Sequence, residues 1–170
     1  MTPPIAPADK ICLPGELPAR LAALPKPWVF TNGVFDILHR GHVQYLHEAS
    51  QLGASLIVAL NTDRSTRLLG KGPERPLNAE LDRALVIGGL ASVALVTFFD
   101  ESTPLALLER VRPECYVKGG DYDIERLPET ALVRGWGGRA QALPFVDGYS
   151  TTRLVQRMAA AAPARTGGRP

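Results

Sequence analysis

At 170 residues, with 45% hydrophobic and 21% charged side chains, the chain has the make-up of one ordinary globular domain with a core of its own. A net charge of +2 is too small to imply a nucleic acid or an acidic membrane as partner. No apolar run approaches the ~18 residues of a membrane span, Met1–Lys10 lacks the pattern of a signal peptide, and Cys12 and Cys115 form neither a disulfide framework nor a metal spacing, so a cytoplasmic protein with reduced thiols is expected.

In chain order, Met1–Pro7 reads as a proline-rich mobile tail and Leu17–Leu24 as a short helix stopped by Pro25 and Pro27. Trp28–Phe30 is a buried strand, with Thr31-Asn32-Gly33 as the turn that ends it. Val43, Tyr45, Leu46 and Ala49 mark a helix that Gly53 closes, and Leu56–Leu60 is a second strand whose continuous apolarity suits a parallel sheet covered on both faces. Asn61-Thr62-Asp63 follows that strand, and Asp63 also suits the cap of a short helix. Leu68–Leu77 is a loop carrying Lys71 and Arg75. Asn78 is placed to cap a helix over Ala79–Leu90. Val93–Phe98 is a third strand, Pro104 sits in the first turn of a helix reaching Val111, and Cys115–Val117 is a fourth strand ending in Lys118-Gly119-Gly120-Asp121-Tyr122. A helix over Leu127–Arg134, a fifth strand over Ala140–Phe145 and a last helix over Arg153–Ala162 complete the chain, and Pro163–Pro170 reads as a tail. Strands alternate with helices throughout. The expectation is therefore a single α/β domain, ordered from about residue 10 to about residue 160, with a five-stranded parallel Rossmann-like sheet of order 3-2-1-4-5 and helices on both faces.

Four polar clusters follow four of the strands, and such clusters gather at one edge of a parallel sheet. The first is His39-Arg40-Gly41-His42, where a strand has turned and a helix begins. A helix start offers unpaired N–H groups and partial positive charge, Gly41 lets an anion approach the backbone, and two imidazoles can donate to phosphoryl oxygens. Two histidines at this spacing also suit zinc, but no third ligand stands nearby. Lys118-Gly119 supplies a cation at a strand end, and Ser150-Thr151-Thr152 supplies hydroxyls and N–H groups at a helix start, where Ser150 also serves as a cap.

The run Phe30-Thr31-Asn32-Gly33-Val34-Phe35-Asp36-Ile37-Leu38-His39-Arg40-Gly41-His42 resembles the nucleotidyltransferase superfamily marked by a His-x-Gly-His signature. Lys71-Gly72-Pro73-x-Arg75-Pro76, Val117-Lys118-Gly119-Gly120-Asp121-Tyr122 and Gly148-Tyr149-Ser150-Thr151-Thr152 make it similar to the heptose 1-phosphate adenylyltransferase branch. Val34 stands where that branch often has Cys, Tyr149 occupies a variable position, and Ile124–Trp136 matches weakly. The branch is often fused behind a sugar kinase. With only ~25 residues before the first strand, the stand-alone form is expected here.

The resemblance implies transfer of AMP from ATP to D-glycero-β-D-manno-heptose 1-phosphate. It implies His39, His42 and Lys118 as catalytic. Thr31, Asn32, Gly33, Val34, Phe35, Gly41, Asn61, Asp63, Gly119, Asp121, Ser150, Thr151 and Thr152 would bind nucleotide, with Asp36, Lys71 and Arg75 on the sugar phosphate. Mg²⁺ would enter with ATP and need no protein cage, and a homodimer is expected. Two other readings are a cytidylyltransferase acting on a polyol or amino-alcohol phosphate, and a nucleotide-binding regulatory module without turnover.

Overall fold

The computed structural model describes residues 5–70, 72, 74–120, 123–144 and 148–161. Lys71 and Asp121, two of the expected site residues, lie outside them.

Five strands form one parallel sheet: β1 (Trp28–Gly33), β2 (Ser55–Asn61), β3 (Leu95–Phe99), β4 (Cys115–Gly119) and β5 (Arg139–Leu143), in the order β3-β2-β1-β4-β5. The helices between them are α1 (Leu17–Ala22), α2 (Arg40–Ser50), α3 (Asp63–Leu68), α4 (Glu80–Gly88), α5 (Leu105–Val111), α6 (Pro128–Gly135) and α7 (Thr151–Ala161).

The sheet follows from side-chain alternation. Val29, Leu56, Val58 and Leu60 face a core shared with Tyr45, Leu46 and Ala49 of α2 and Ala84 and Ile87 of α4. Phe30, Ile57 and Ala59 face the other core, with Leu17 and Leu21 of α1, Leu107 and Leu108 of α5 and Val133 of α6. All seven residues of β2 are buried, as a central strand covered on both faces requires. Each such aliphatic side chain contributes roughly 1.5–3 kcal/mol of transfer free energy.

Several boundaries depart from the expectation. Thr31-Asn32-Gly33 is not a turn: it continues β1, because all three residues pair with Val58–Leu60 of β2. Lys118 and Gly119 likewise extend β4, pairing with Ala142 and Leu143. Strand pairing overrides local turn propensity at both places. Of the two glycines after Lys118, only Gly120 has the positive φ, 112°, that a turn requires. The second helix begins at Arg40 rather than Val43, which puts Gly41 and His42 inside its first turn. Asn78 does not cap α4, whose N-cap is Ala79; Thr62, not Asp63, caps α3, its hydroxyl accepting from the Ser65 N–H at 3.0 Å. Pro7 is not part of a loose tail: it opens a short 3-10 turn over Pro7–Lys10 whose backbone crosses α4 at Gly88, where a Cβ would stand 2.8 Å from the Pro7 carbonyl.

From β1 the chain moves outward to β2 and β3, then returns to place β4 on the other side of β1. The gap between β1 and β4 at their C-terminal ends is the topological switch point, where open α/β sheets bind ligands.

Candidate active site

A cleft of about 240 Å³ opens at that switch point. Its floor is the end of β1 and the loop after it, Asn32 to Asp36. Lys118 and Gly119 of β4 form one side, His42 and Tyr45 of α2 another, and Thr66, Arg75 and the first turn of α7 (Thr151, Thr152) close the rest.

Two helix N-termini therefore converge on one cavity. The His39 carbonyl accepts from the His42 and Val43 N–H groups at 2.9 and 3.2 Å, while the earlier N–H groups of α2 have no carbonyl a turn behind them. At α7 the Ser150 hydroxyl accepts from the Arg153 N–H at 3.1 Å, so Ser150 is the cap and Thr151 and Thr152 present themselves to the cleft. Both helices add partial positive charge where Lys118 adds a full one. The Lys118 ammonium lies 3.3 Å from Asn32 Oδ1, and the Tyr116 hydroxyl donates to the same oxygen at 3.0 Å. Asn32 thus ties β4 to β1 at the cleft floor.

The two histidines form a stacked pair, with ring centroids 3.8 Å apart and planes 17° from parallel. His42 faces the cleft and meets the edge of Phe35 at 5.1 Å; His39 lies behind it, toward Tyr149. Both Nδ1 atoms are buried without a hydrogen-bond partner. Burial, and then the neighbouring His39 ring, push the His42 imidazole down to about 4, and burial lowers His39 as well. His42 is therefore neutral near pH 7 and acts there through an imidazole N–H, not as a standing cation. Gly41 is small for a steric reason: a Cβ would stand 3.1 Å from the His39 ring and 3.2 Å from the Tyr149 Cβ. Phe35 adopts φ 49°, a left-handed conformation uncommon for a bulky residue, and so turns its ring onto His42.

Asp36, expected on the sugar phosphate, lines the cleft with its carboxylate bonded to other protein groups. Its carboxylate, 8% exposed, accepts from Arg75 Nη1 at 2.5 Å, from the Leu77 N–H at 2.9 Å and from the Asn78 N–H at 2.9 Å. The Asn78 side chain donates back to the Asp36 carbonyl. These bonds hold the Asp36 carboxyl below its ordinary range despite its burial. Asp36 is a clasp that fixes the 75–78 segment and presents Arg75 at the cleft. It is the only carboxylate in the lining among the described residues, and its oxygens are already engaged. Among the described residues no group of three or more His, Cys, Asp or Glu side chains could hold a metal.

Thr31, Asn61 and Asp63, expected to bind nucleotide, do not line the cleft and are bonded to other protein groups. Thr31 is fully buried, its hydroxyl 2.6 Å from that of Tyr45. Asn61 is buried and donates to the Ser65 hydroxyl at 2.8 Å. The Asp63 carboxylate pairs with Arg83 at 2.8 Å. Each is committed to joining elements beneath the cleft, because a strand end packed against a helix start leaves polar groups that must find partners inside the protein. Tyr45, Thr66 and Arg83 were absent from the expected set. Tyr45 and Arg83 sat at helical spacing among core positions, where neither periodicity nor residue type separated them from ordinary packing and surface residues.

The cytidylyltransferase-like family profile matches residues 30–157, from β1 into α7. The chain is 58% identical over 152 residues to the D-beta-D-heptose 1-phosphate adenylyltransferase of Bordetella bronchiseptica, covering 88% of this chain and 94% of that one. It is 51% identical over 142 residues to the bifunctional protein HldE of Magnetococcus marinus, covering 84% of this chain but 29% of the relative. Among solved structures, the lipopolysaccharide core biosynthesis protein of Thermoplasma volcanium superposes with TM-score 0.59 at 28% identity, covering 70% of this chain and 95% of that one. Pantothenate synthetase of Thermus thermophilus, at 17% identity and TM-score 0.52, shares the fold. Sheet order, cleft and sequence agree: the chain belongs to the cytidylyltransferase-like family of nucleotidyltransferases, within its heptose 1-phosphate adenylyltransferase branch.

Proposed function

We propose that this protein transfers AMP from ATP to D-glycero-β-D-manno-heptose 1-phosphate, releasing pyrophosphate and forming ADP-heptose, a precursor of the lipopolysaccharide inner core. The observation that carries the reading is the cleft itself: two helix N-termini, Lys118 and His42 converge at the switch point of a chain 58% identical to an enzyme of that name. Cytoplasmic ATP and the buried thiols of Cys12 and Cys115 suit a cytoplasmic site of action. A homodimer, read by sedimentation, belongs to the same proposal.

The chemistry asks for little covalent help. A sugar-phosphate oxygen, already ionised near neutral pH, attacks the α-phosphorus of ATP. The new P–O bond forms as the bond to the β-phosphate oxygen breaks, and the electron pair leaves on pyrophosphate. The protein aligns two polyanions and stabilises charge that grows on the phosphoryl and leaving oxygens. In this reading the N–H groups of the α7 start, with Thr151 and Thr152, receive phosphate oxygens, Lys118 neutralises the α-phosphoryl group, and the His42 N–H donates to an oxygen as charge develops. His39 supports the His42 ring by stacking and serves as its partner in the signature. Asn32–Phe35 and Gly119 line the nucleotide, and Arg75 meets the phosphate of the sugar.

The test is pyrophosphate release from a panel of nucleoside triphosphates against several sugar 1-phosphates and polyol phosphates. Turnover is expected with ATP and heptose 1-phosphate. Turnover with CTP and a polyol phosphate instead would replace this reading with the cytidylyltransferase one, and silence across the panel would leave the regulatory module.

A further inference from the structure

Behind the cleft sits an arginine that is almost completely shielded. Arg83 of α4 is 1% exposed, and it is the bulkiest fully buried side chain among the described residues. Its guanidinium makes four bonds in different directions. Nε donates to the Asn78 carbonyl at 3.0 Å, Nη1 to the Val34 carbonyl at 2.7 Å, and Nη2 to the Asn61 carbonyl and the Asp63 carboxylate, both at 2.8 Å. These acceptors lie on three stretches of chain: the loop after β1, the junction of β2 with α3, and the segment leading into α4.

Two of the stretches are the halves of the Asp36 clasp. Val34 stands two residues before Asp36. Asn78 both donates its N–H to the Asp36 carboxylate and returns a side-chain bond to the Asp36 carbonyl. The third stretch, anchored through Asn61 and Asp63, ties the assembly to β2, an interior strand of the sheet. A buried charge of this kind is a poor device for stability alone, since an apolar side chain of similar volume serves as well or better. A planar fork that reaches three separate backbone carbonyls at fixed angles does what no apolar group or ammonium can.

We infer that Arg83 is a positioning residue: it locks the loop after β1 to the 75–78 segment and so sets Arg75 in the cleft for the phosphate of the sugar substrate. The inference rests on the proposed adenylyltransferase reading for the identity of that phosphate. The placement of Arg75 stands on the bonds themselves.

The decisive variant is Arg83→Lys, which keeps the charge and most of the stem but cannot span the acceptors. Loss of these charge-assisted bonds should raise KM for heptose 1-phosphate by roughly ten- to a hundredfold. KM for ATP should rise several-fold less than KM for the sugar phosphate, because Arg83 reaches the nucleotide lining only through the Val34 carbonyl, while α7 and Lys118 do not depend on the clasp. In hydrogen exchange, the Leu77 and Asn78 amides, which donate to Asp36, should exchange faster, while amides of Val58 and Ala59 in β2 stay protected. Added to Arg75→Ala, Arg83→Lys should cause little further loss, since both act on one contact. If Arg83→Lys does not fold, Asp63→Asn removes the charge partner alone and should give the same pattern at smaller size. Equal rises in both KM values, multiplicative losses in the double variant, or unchanged exchange at Leu77 and Asn78 would overturn the inference. If the wild-type protein fails to turn over heptose 1-phosphate, the functional reading falls, and the amide exchange still decides what Arg83 does.

Discussion

Acidifying the protein from about pH 7 to about pH 5 should cost it roughly 2 kcal/mol through the single imidazole of His42. The ring is folded into the pair with His39, where burial and its neighbour hold its value at about 4 against an ordinary 6.5. In the window between these values the unfolded chain takes up a proton that the native state refuses, so stability rises with pH across it and falls as the solution is acidified. The whole interval corresponds to at most ~3.4 kcal/mol, of which a little over half lies between pH 7 and pH 5. His39, lowered by its own burial, adds in the same direction. Asp36 and Glu114, held below their ordinary ranges by ion pairs and backbone N–H groups, lose their contribution only in more acid solution. The assay is urea unfolding followed by circular dichroism at the two pH values, for the wild type and for His42→Asn. The variant lacks the titrating group, so its pH difference should be smaller by about 2 kcal/mol. An equal pH difference in both proteins would show that His42 is not held neutral by its surroundings, and the account of it as an uncharged donor would fall with that result.

Three further outcomes are expected. His42→Ala should lower kcat by ~10²–10³ with KM for ATP nearly unchanged, because the lost N–H serves charge that develops only in the transition state; steady-state kinetics giving an unchanged kcat and a raised KM would contradict this. Asp36→Asn removes the partner of Arg75 inside a buried clasp, so thermal or denaturant unfolding should show a loss of about 3–5 kcal/mol, with KM for the sugar phosphate raised as well. Gly41→Ala gains about 1 kcal/mol of helix propensity in α2 but sets a methyl 3.1 Å from the His39 ring; kcat should fall while the melting temperature moves little, and an unchanged kcat would show that the imidazole pair tolerates displacement.

The sequence by itself determined the sheet and the place of the cleft. β2 is apolar at every position from Leu56 to Leu60, and only a central parallel strand covered on both faces needs that. His39-Arg40-Gly41-His42 and Ser150-Thr151-Thr152 each follow a strand and Lys118-Gly119 ends one, and the right-handed alternation of strand and helix leaves such segments one common edge. Local patterning reached that far because it reports which face of an element is buried and where the chain turns. Only the tertiary structure decided what each polar residue does there. Asp36 and Asp63 look alike beside their strands, yet one clasps Arg75 and the other balances the buried charge of Arg83. Thr31 and Asn61 were drawn inward because β1 and β2 run on as paired strands beyond their apolar runs. Arg83, an ordinary charged residue in the helical pattern, became the link between three stretches of chain because α4 packs this face against the end of the sheet. Hydrogen-bond partners across tens of residues are set by how whole elements dock, and no window of sequence short enough to show a period contains both ends of such a bond.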